Sequence, residues 1–190
     1  MRRLIGLLLS ALLLAGCVAQ QAAVAERKAL AASMPMLRLP PSALPGTLAL
    51  QQRLAFRHGD RRETVDALVE NDTGSTRLVI HAQGQVALRL EWDGKQLTQT
   101  RAPWLPSELD GERVLSDLQL VFWPVDAIAS ALPEGWSLRD DQGQRVLRQR
   151  ETIIATVEYP QPMQARLDQR ALGYMLEISS SEIESMEDTP

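Results

Sequence analysis

The chain has a single cysteine among its 190 residues, so it offers neither an intrachain disulfide nor a thiolate metal cluster. Histidine is almost as scarce: His58 and His81 are the only two. Both stand beside turn signals, with no third ligand at a zinc-like spacing. There is no glycine-rich phosphate loop, nucleophile elbow or Cys-His pair. Asp140-Asp141-Gln142-Gly143 lacks the alternating oxygen donors of a calcium loop. These absences argue against an enzyme and against any metal or cofactor. Positive charge is not in surplus either, with 20 Lys+Arg against 24 Asp+Glu and a net charge of −4. That balance is wrong for nucleic acid, whose phosphates are held by Lys and Arg. It is equally wrong for a domain held by charge on an anionic lipid surface. No apolar run approaches the ~20 residues that a membrane-spanning helix needs.

The amino terminus does carry a pattern. Arg2 and Arg3 precede an apolar run from Leu4 to Leu14, and small residues Ala15 and Gly16 lead to Cys17. Positive, apolar and then small is the order of a secretory signal. Leu14-Ala15-Gly16-Cys17 resembles a bacterial lipobox. The resemblance implies cleavage between Gly16 and Cys17, a diacylglyceryl group on the Cys17 sulfur, and acylation of the new amine by a chain such as palmitate. Each buried methylene contributes ~0.8 kcal/mol, so two or three chains hold a protein firmly on a membrane. Loss of residues 1–16 shortens the chain from 190 to 174 residues. It also removes Arg2 and Arg3, which moves the formal charge from −4 to −6. Val18 and Ala19 follow the cysteine where an aspartate would favour inner-membrane retention, so the expected location is the periplasmic face of the outer membrane.

Residues 17–46 are read as a lipidated cysteine followed by a tether and a proline-rich arm, since Pro35, Pro40, Pro41 and Pro45 exclude a regular helix or central strand. From Thr47 the pattern alternates. Leu48, Leu50, Leu54 and Phe56 share one parity, and Val65, Ala67 and Val69 share another. Leu78 and Ile80, then Val86, Leu88, Leu90 and Trp92, continue it. Turn signals separate these runs at His58-Gly59-Asp60, Asn71 to Gly74, Gln83-Gly84 and Asp93-Gly94, with Lys95 to Arg101 returning as a fifth strand. A helical insert is expected at about 112–132. Val114, Leu115, Leu118, Val121 and Phe122 form its first stripe, and a second helix starts after Pro124. Strands resume at Trp136–Arg139, Arg145–Arg150, Thr152–Tyr159 and Leu172–Ile178, with Pro160 and Pro162 as an interruption. The domain is expected over 47–178 and an acidic tail over 179–190. The fold class is mainly β with α: a half-open antiparallel barrel or strongly curved sheet, covered by a helical segment.

A lipobox, a meander, a helical pair and further antiparallel strands resemble the lipoprotein carriers LolA and LolB, in which helices lid an apolar cavity in a half-open barrel. Leu118-Gln119-Leu120-Val121-Phe122-Trp123-Pro124, followed by Ala127-Ile128, is similar to a block in a family of uncharacterised lipoproteins. Those proteins are often encoded among aryl polyene, fatty-acid-synthase-like genes. The resemblance implies a non-catalytic role. Trp104, Leu118, Val121, Phe122, Trp123, Ile128 and Trp136 are the expected lining of a ligand cavity, where aromatic rings bury large areas. The expected function is a membrane-anchored lipoprotein that binds a hydrophobic, lipid-like molecule or the acyl chains of another lipoprotein. The alternative is a structural subunit of an envelope assembly, with an envelope protein as partner and a filled interior.

Overall fold

The computed structural model describes residues 25, 29–105 and 110–183. The chain divides into two units, Met1–Met34 and Pro35–Pro190. In the first, residues 29–33 are helical. The second holds one ten-stranded sheet, all antiparallel, with a helical excursion in the middle of the chain.

Five strands precede the excursion: β1 (Leu48–His58), β2 (Arg61–Asn71), β3 (Thr76–Ala82), β4 (Gln85–Trp92) and β5 (Leu97–Arg101). Helices α1 (Gly111–Phe122) and α2 (Val125–Ala131) follow. Five more strands complete the sheet: β6 (Trp136–Asp141), β7 (Gln144–Gln149), β8 (Thr152–Glu158), β9 (Gln164–Gln169) and β10 (Tyr174–Glu182). Strands adjacent in sequence pair as hairpins, and β1 pairs with β10 to join the two meanders. The edges are therefore β5 and β6, the strands that flank the helices. The sheet is not closed, and a mainly β protein built on an open, curved antiparallel sheet agrees with the expected class.

Local chemistry accounts for the hairpins. Asp93 Oδ1 accepts the backbone N–H groups of Lys95 and Gln96 at 2.8 and 2.6 Å. Asp72 Oδ1 accepts those of Gly74 and Ser75 at 2.7 and 2.8 Å. Both are side-chain mimics of a turn, and these N–H groups hold both carboxyls below the usual range. One face of the sheet carries Leu50, Leu54, Val69, Leu78, Leu90, Leu147, Val157, Leu167 and Ile178, all buried, as a period-2 pattern requires. Register shifts at Ile80/His81 and at Leu147/Arg148 place one irregularity in each half, and such bulges bend a sheet.

The geometry of α1 demands that bend. Eight strand spacings separate β5 from β7, about 38 Å in a flat sheet, whereas twelve helical residues span only about 18 Å. Yet Gln99 of β5 accepts the N–H of Gly111 at the helix start (3.0 Å), and Arg145 of β7 donates to Leu120 and Trp123 carbonyls at its end (2.8 Å each). The sheet must curl around the helix. A Cβ at Gly111 would run into the Gln99 carboxamide oxygen, so a larger residue there would have to displace that side chain from its bond to the helix start.

Two expectations are corrected. The segment after Pro160 and Pro162 is no mere interruption, since Gln164–Gln169 forms β9 between β8 and β10. The last strand also outlasts Ile178: Ser179 to Glu182 pair with Arg53 to Leu50 of β1, so four residues read as acidic tail belong to the sheet. Their polar side chains hid a strand whose ladder bonds come from the backbone.

Candidate functional site

Helix α1 is buried on nearly every side, including Leu115, Ser116, Asp117, Leu118, Gln119, Leu120 and Val121. Three sets of contacts hold it, and they define the chemistry of the concave face.

The first set faces the arm. Leu37, Leu39 and Pro41 are buried while Met36, Arg38 and Pro40 are exposed, the alternation of an extended strip that runs to Pro40 and enters a 3-10 turn at Pro41–Ala43. Its backbone is met by side chains. Ser116 Oγ accepts the Leu37 N–H (3.1 Å) and Gln119 Oε1 accepts the Leu39 N–H (3.0 Å). The Leu39 carbonyl accepts from Gln119 Nε2 (2.9 Å) and from Trp92 Nε1 (2.8 Å). Arg38 adds an exposed ion pair with Glu112 at 2.6 Å.

The second set faces β9 and β10. Asp117 Oδ1 accepts from Gln169 Nε2 at 2.6 Å, and Oδ2 accepts from the Tyr174 hydroxyl. The Tyr174 ring leans on Phe56, with centroids 5.3 Å apart, which orients the hydroxyl. Burial pushes the Asp117 carboxyl up to about 6, against the opposing pull of the Tyr174 bond, the Arg113 charge and the Gln169 bond. The Tyr174 hydroxyl is pushed well above its ordinary value by burial and by the adjacent carboxylate. Gln169 Oε1 and Arg113 Nη1 are buried without a hydrogen-bond partner among the described residues.

The third set closes the helix end. A helix leaves its last carbonyls unpaired. Here Arg145 takes those of Leu120 and Trp123, and the Tyr159 hydroxyl takes that of Val121 at 2.6 Å. A cation at this end also suits the helix dipole. The Arg145 guanidinium lies 5.4 Å from the Tyr159 ring centroid, within cation–π range. Burial pushes the Tyr159 hydroxyl up to about 12, with the Arg145 charge opposing.

Beyond that end lies a groove of about 430 Å³ between Phe122 and the β8–β9 connection. Phe122, Tyr159, Pro160, Pro162, Met163 and Ala165 give it apolar walls, and Gln161, Gln164 and Ser180 its polar ones. Met163 is 42% exposed and has a left-handed backbone with φ +61, an uncommon state for a residue with a side chain. Its carbonyl accepts the Ser180 N–H at 2.8 Å, which ties it to β10.

Of the residues expected at a cavity, Phe122 borders this groove. Leu118, Val121, Trp123 and Ile128 are buried in the core, Trp123 and Ile128 with no exposed area. Trp136 is half-buried at the start of β6. Trp104 stands apart on the β5–α1 crossing, 45% exposed. Gly16 and Cys17, the expected cleavage and lipidation site, lie outside the described residues. Asp117, Gln119, Gln169 and Tyr174 were not anticipated. The available signal was polar Asp117 and Gln119 inside an apolar helical block. Among the described residues no three His, Cys, Asp or Glu side chains gather to hold a metal ion.

A family model described as "Protein of unknown function (DUF3261)" matches residues 49–182, from β1 to the end of β10. No curated protein matches the chain.

Proposed function

Since the chain belongs to this DUF3261 family, whose description names no activity, we propose from its own geometry that it is a carrier or holder of a hydrophobic, lipid-like molecule. In this reading Cys17 bears the acyl anchor, the protein sits on the periplasmic face of the outer membrane, and binding involves no covalent step. The observation that carries it is the 430 Å³ groove beside Phe122. Its size falls in the range of ~300–1,000 Å³ common for small-molecule sites, and apolar walls with a few polar groups are what such sites present. Tyr159 and Met163 offer apolar surface there, while Gln161, Gln164 and Ser180 supply polar groups for a head group. The order of elements, a meander, a helical pair and further antiparallel strands, resembles that of the LolA and LolB carriers, and this resemblance supports the reading.

A second reading, a structural subunit of an envelope assembly, is favoured by the filled interior around Trp123 and Ile128, both without exposed area. The two readings separate by experiment on the chain from Val18 onward, which carries no anchor. The carrier reading expects copurifying lipid by mass spectrometry and uptake of a fluorescent fatty acid. Met163→Glu, which places a charge on an exposed groove wall, should weaken uptake at least tenfold with little change in melting temperature. Absence of both lipid and uptake in the unmutated protein rejects the carrier in favour of the subunit.

A further inference from the structure

The arm is held in an unusual manner. Residues 37–41 add no strand to the sheet, and their backbone is bonded mainly by side chains from other parts of the fold. Gln119, with no exposed area, turns both ends of its carboxamide to one residue, accepting the Leu39 N–H and donating to the Leu39 carbonyl. Trp92 Nε1 donates to the same carbonyl, Trp123 Nε1 to that of Pro40 at 3.4 Å, and Asn71 Nδ2 to that of Pro41 at 3.3 Å. The Asn71 amide is itself oriented, because Thr76 Oγ1 donates to its oxygen at 2.6 Å. Ser116 completes the set at Leu37. Leu37, Leu39 and Pro41 are buried in alternation. Backbone bonds for affinity with pockets for alternate side chains are how proteins recognise extended peptides.

We propose that the cleft formed by Asn71, Trp92, Ser116, Gln119 and Trp123 is a peptide-binding site for extended segments of the pattern apolar–x–apolar–Pro–Pro. Its resident ligand is residues 37–41, and the exchanging ligand is the same segment of a second copy of this chain. Among the described residues, every hydrogen bond that reaches these five from outside the arm originates in residues 71–123. None comes from β1, to which the arm is joined through Leu44, Pro45, Gly46 and Thr47. The arm of another copy therefore meets the same five partners in the same order. Gly46 lies in this joint with φ +79 and open space where a side chain would start. The inference stands whether or not the groove beside Phe122 holds a lipid.

The test uses the full chain with a specific protease site in place of Pro45-Gly46. After cutting, a fluorescent synthetic peptide of residues 35–44 is added in excess, and its uptake is followed by anisotropy. The cut protein should take up the peptide at least tenfold more tightly than the uncut protein, whose own arm competes. A peptide with Asp at the positions of Leu37 and Leu39 should not enter; since that change is in the peptide, it leaves the protein's folding untouched. Gln119→Ala in the cut protein should weaken uptake at least tenfold. Failure of the peptide to enter the cut protein, equal uptake of the Asp-bearing peptide, or unfolding of the protein whenever the arm leaves would each overturn the proposal.

Discussion

Asp117 and Gln119 stand two residues apart on one helix, both buried and both polar, yet they solve burial differently. Gln119 is neutral and meets the backbone of Leu39, a donor and an acceptor fixed by the chain itself. Asp117 is ionisable and meets the side chains of Gln169 and Tyr174, with Arg113 near by. An amide that satisfies an amide leaves nothing to titrate. A carboxylate that relies on two neutral donors keeps part of its desolvation cost, because burial without full compensation disfavours the charged form. The Gln119–Leu39 contact is therefore indifferent to pH, and the Asp117 contact on the β9–β10 side is not.

The largest effect should come from the residue that joins α1 to the arm through its indole. Trp123→Ala removes a side chain with no exposed area and its bond to Pro40. The expected loss is about 3–5 kcal/mol, as for other large core truncations, read from urea denaturation. A loss under about 1 kcal/mol would mean that the core around α1 is loose, and would undo the contrast between a sealed side and a titrating one.

Gln119→Ala comes next. It leaves the buried Leu39 N–H unpaired, while the carbonyl keeps Trp92. One unsatisfied buried group costs about 1–3 kcal/mol, and the loss should be the same at pH 5 and pH 8. Arg38→Ala is the natural control, because the ion pair with Glu112 is exposed on both sides and such pairs contribute about 0–1 kcal/mol. Equal losses for the two variants would show that the arm is held by charge and not by its backbone.

Asp117→Asn sharpens the other half. The folded carboxyl titrates at about 6 against 3.8 for the free group. Below pH 4 both folded and unfolded chains hold the proton, and the group carries no penalty. Between pH 4 and 6 the unfolded chain releases it first, so stability falls as pH rises, and above about pH 6 the penalty is constant. At ~1.4 kcal/mol per pKa unit, the fall attributable to Asp117 is about 3 kcal/mol at most. The Asn variant keeps an oxygen for Tyr174, and once the Gln169 carboxamide turns over, its NH2 group can donate to Gln169 Oε1; with no group to titrate, it should lack this fall. Guanidinium denaturation of both proteins across pH 4–8 measures the difference, and parallel profiles would remove the distinction between the two residues. The smallest expected effect is Tyr174→Phe, which withdraws one donor and should move the Asp117 titration upward, by NMR of the carboxyl carbon.

Much of the fold was legible locally. Leu48 to Trp92 alternate strictly enough to place four strands, and Asp93-Gly94 announces its own turn through the Asp side chain. β9 was not legible. Its inward residues are Ala165, Leu167 and Gln169, and the last belongs inside only because Asp117, 52 residues away in the chain, accepts its hydrogen bond. The site divides in the same way. Phe122 could be read from its helical block, but its partners across the groove sit on a connection where Pro160 and Pro162 look like simple breakers. Gln119 was visible as a letter within that block, while its role depends on an arm 80 positions earlier.

The pairing of β1 with β10 bears on when the molecule can assemble. Leu50 meets Glu182 and His58 meets Tyr174, so the central seam joins the first and the last strand among the described residues. Every other ladder links neighbours in the chain and closes over short loops. Contacts so distant in sequence form slowly, because the intervening chain must be ordered before they repay its lost freedom. A nascent chain that stops short of Tyr174 has two separate meanders and two bare seams, one of them on β1. Synthesis through β10 is thus a condition for a single sheet, and β10 is the strand that unites its halves.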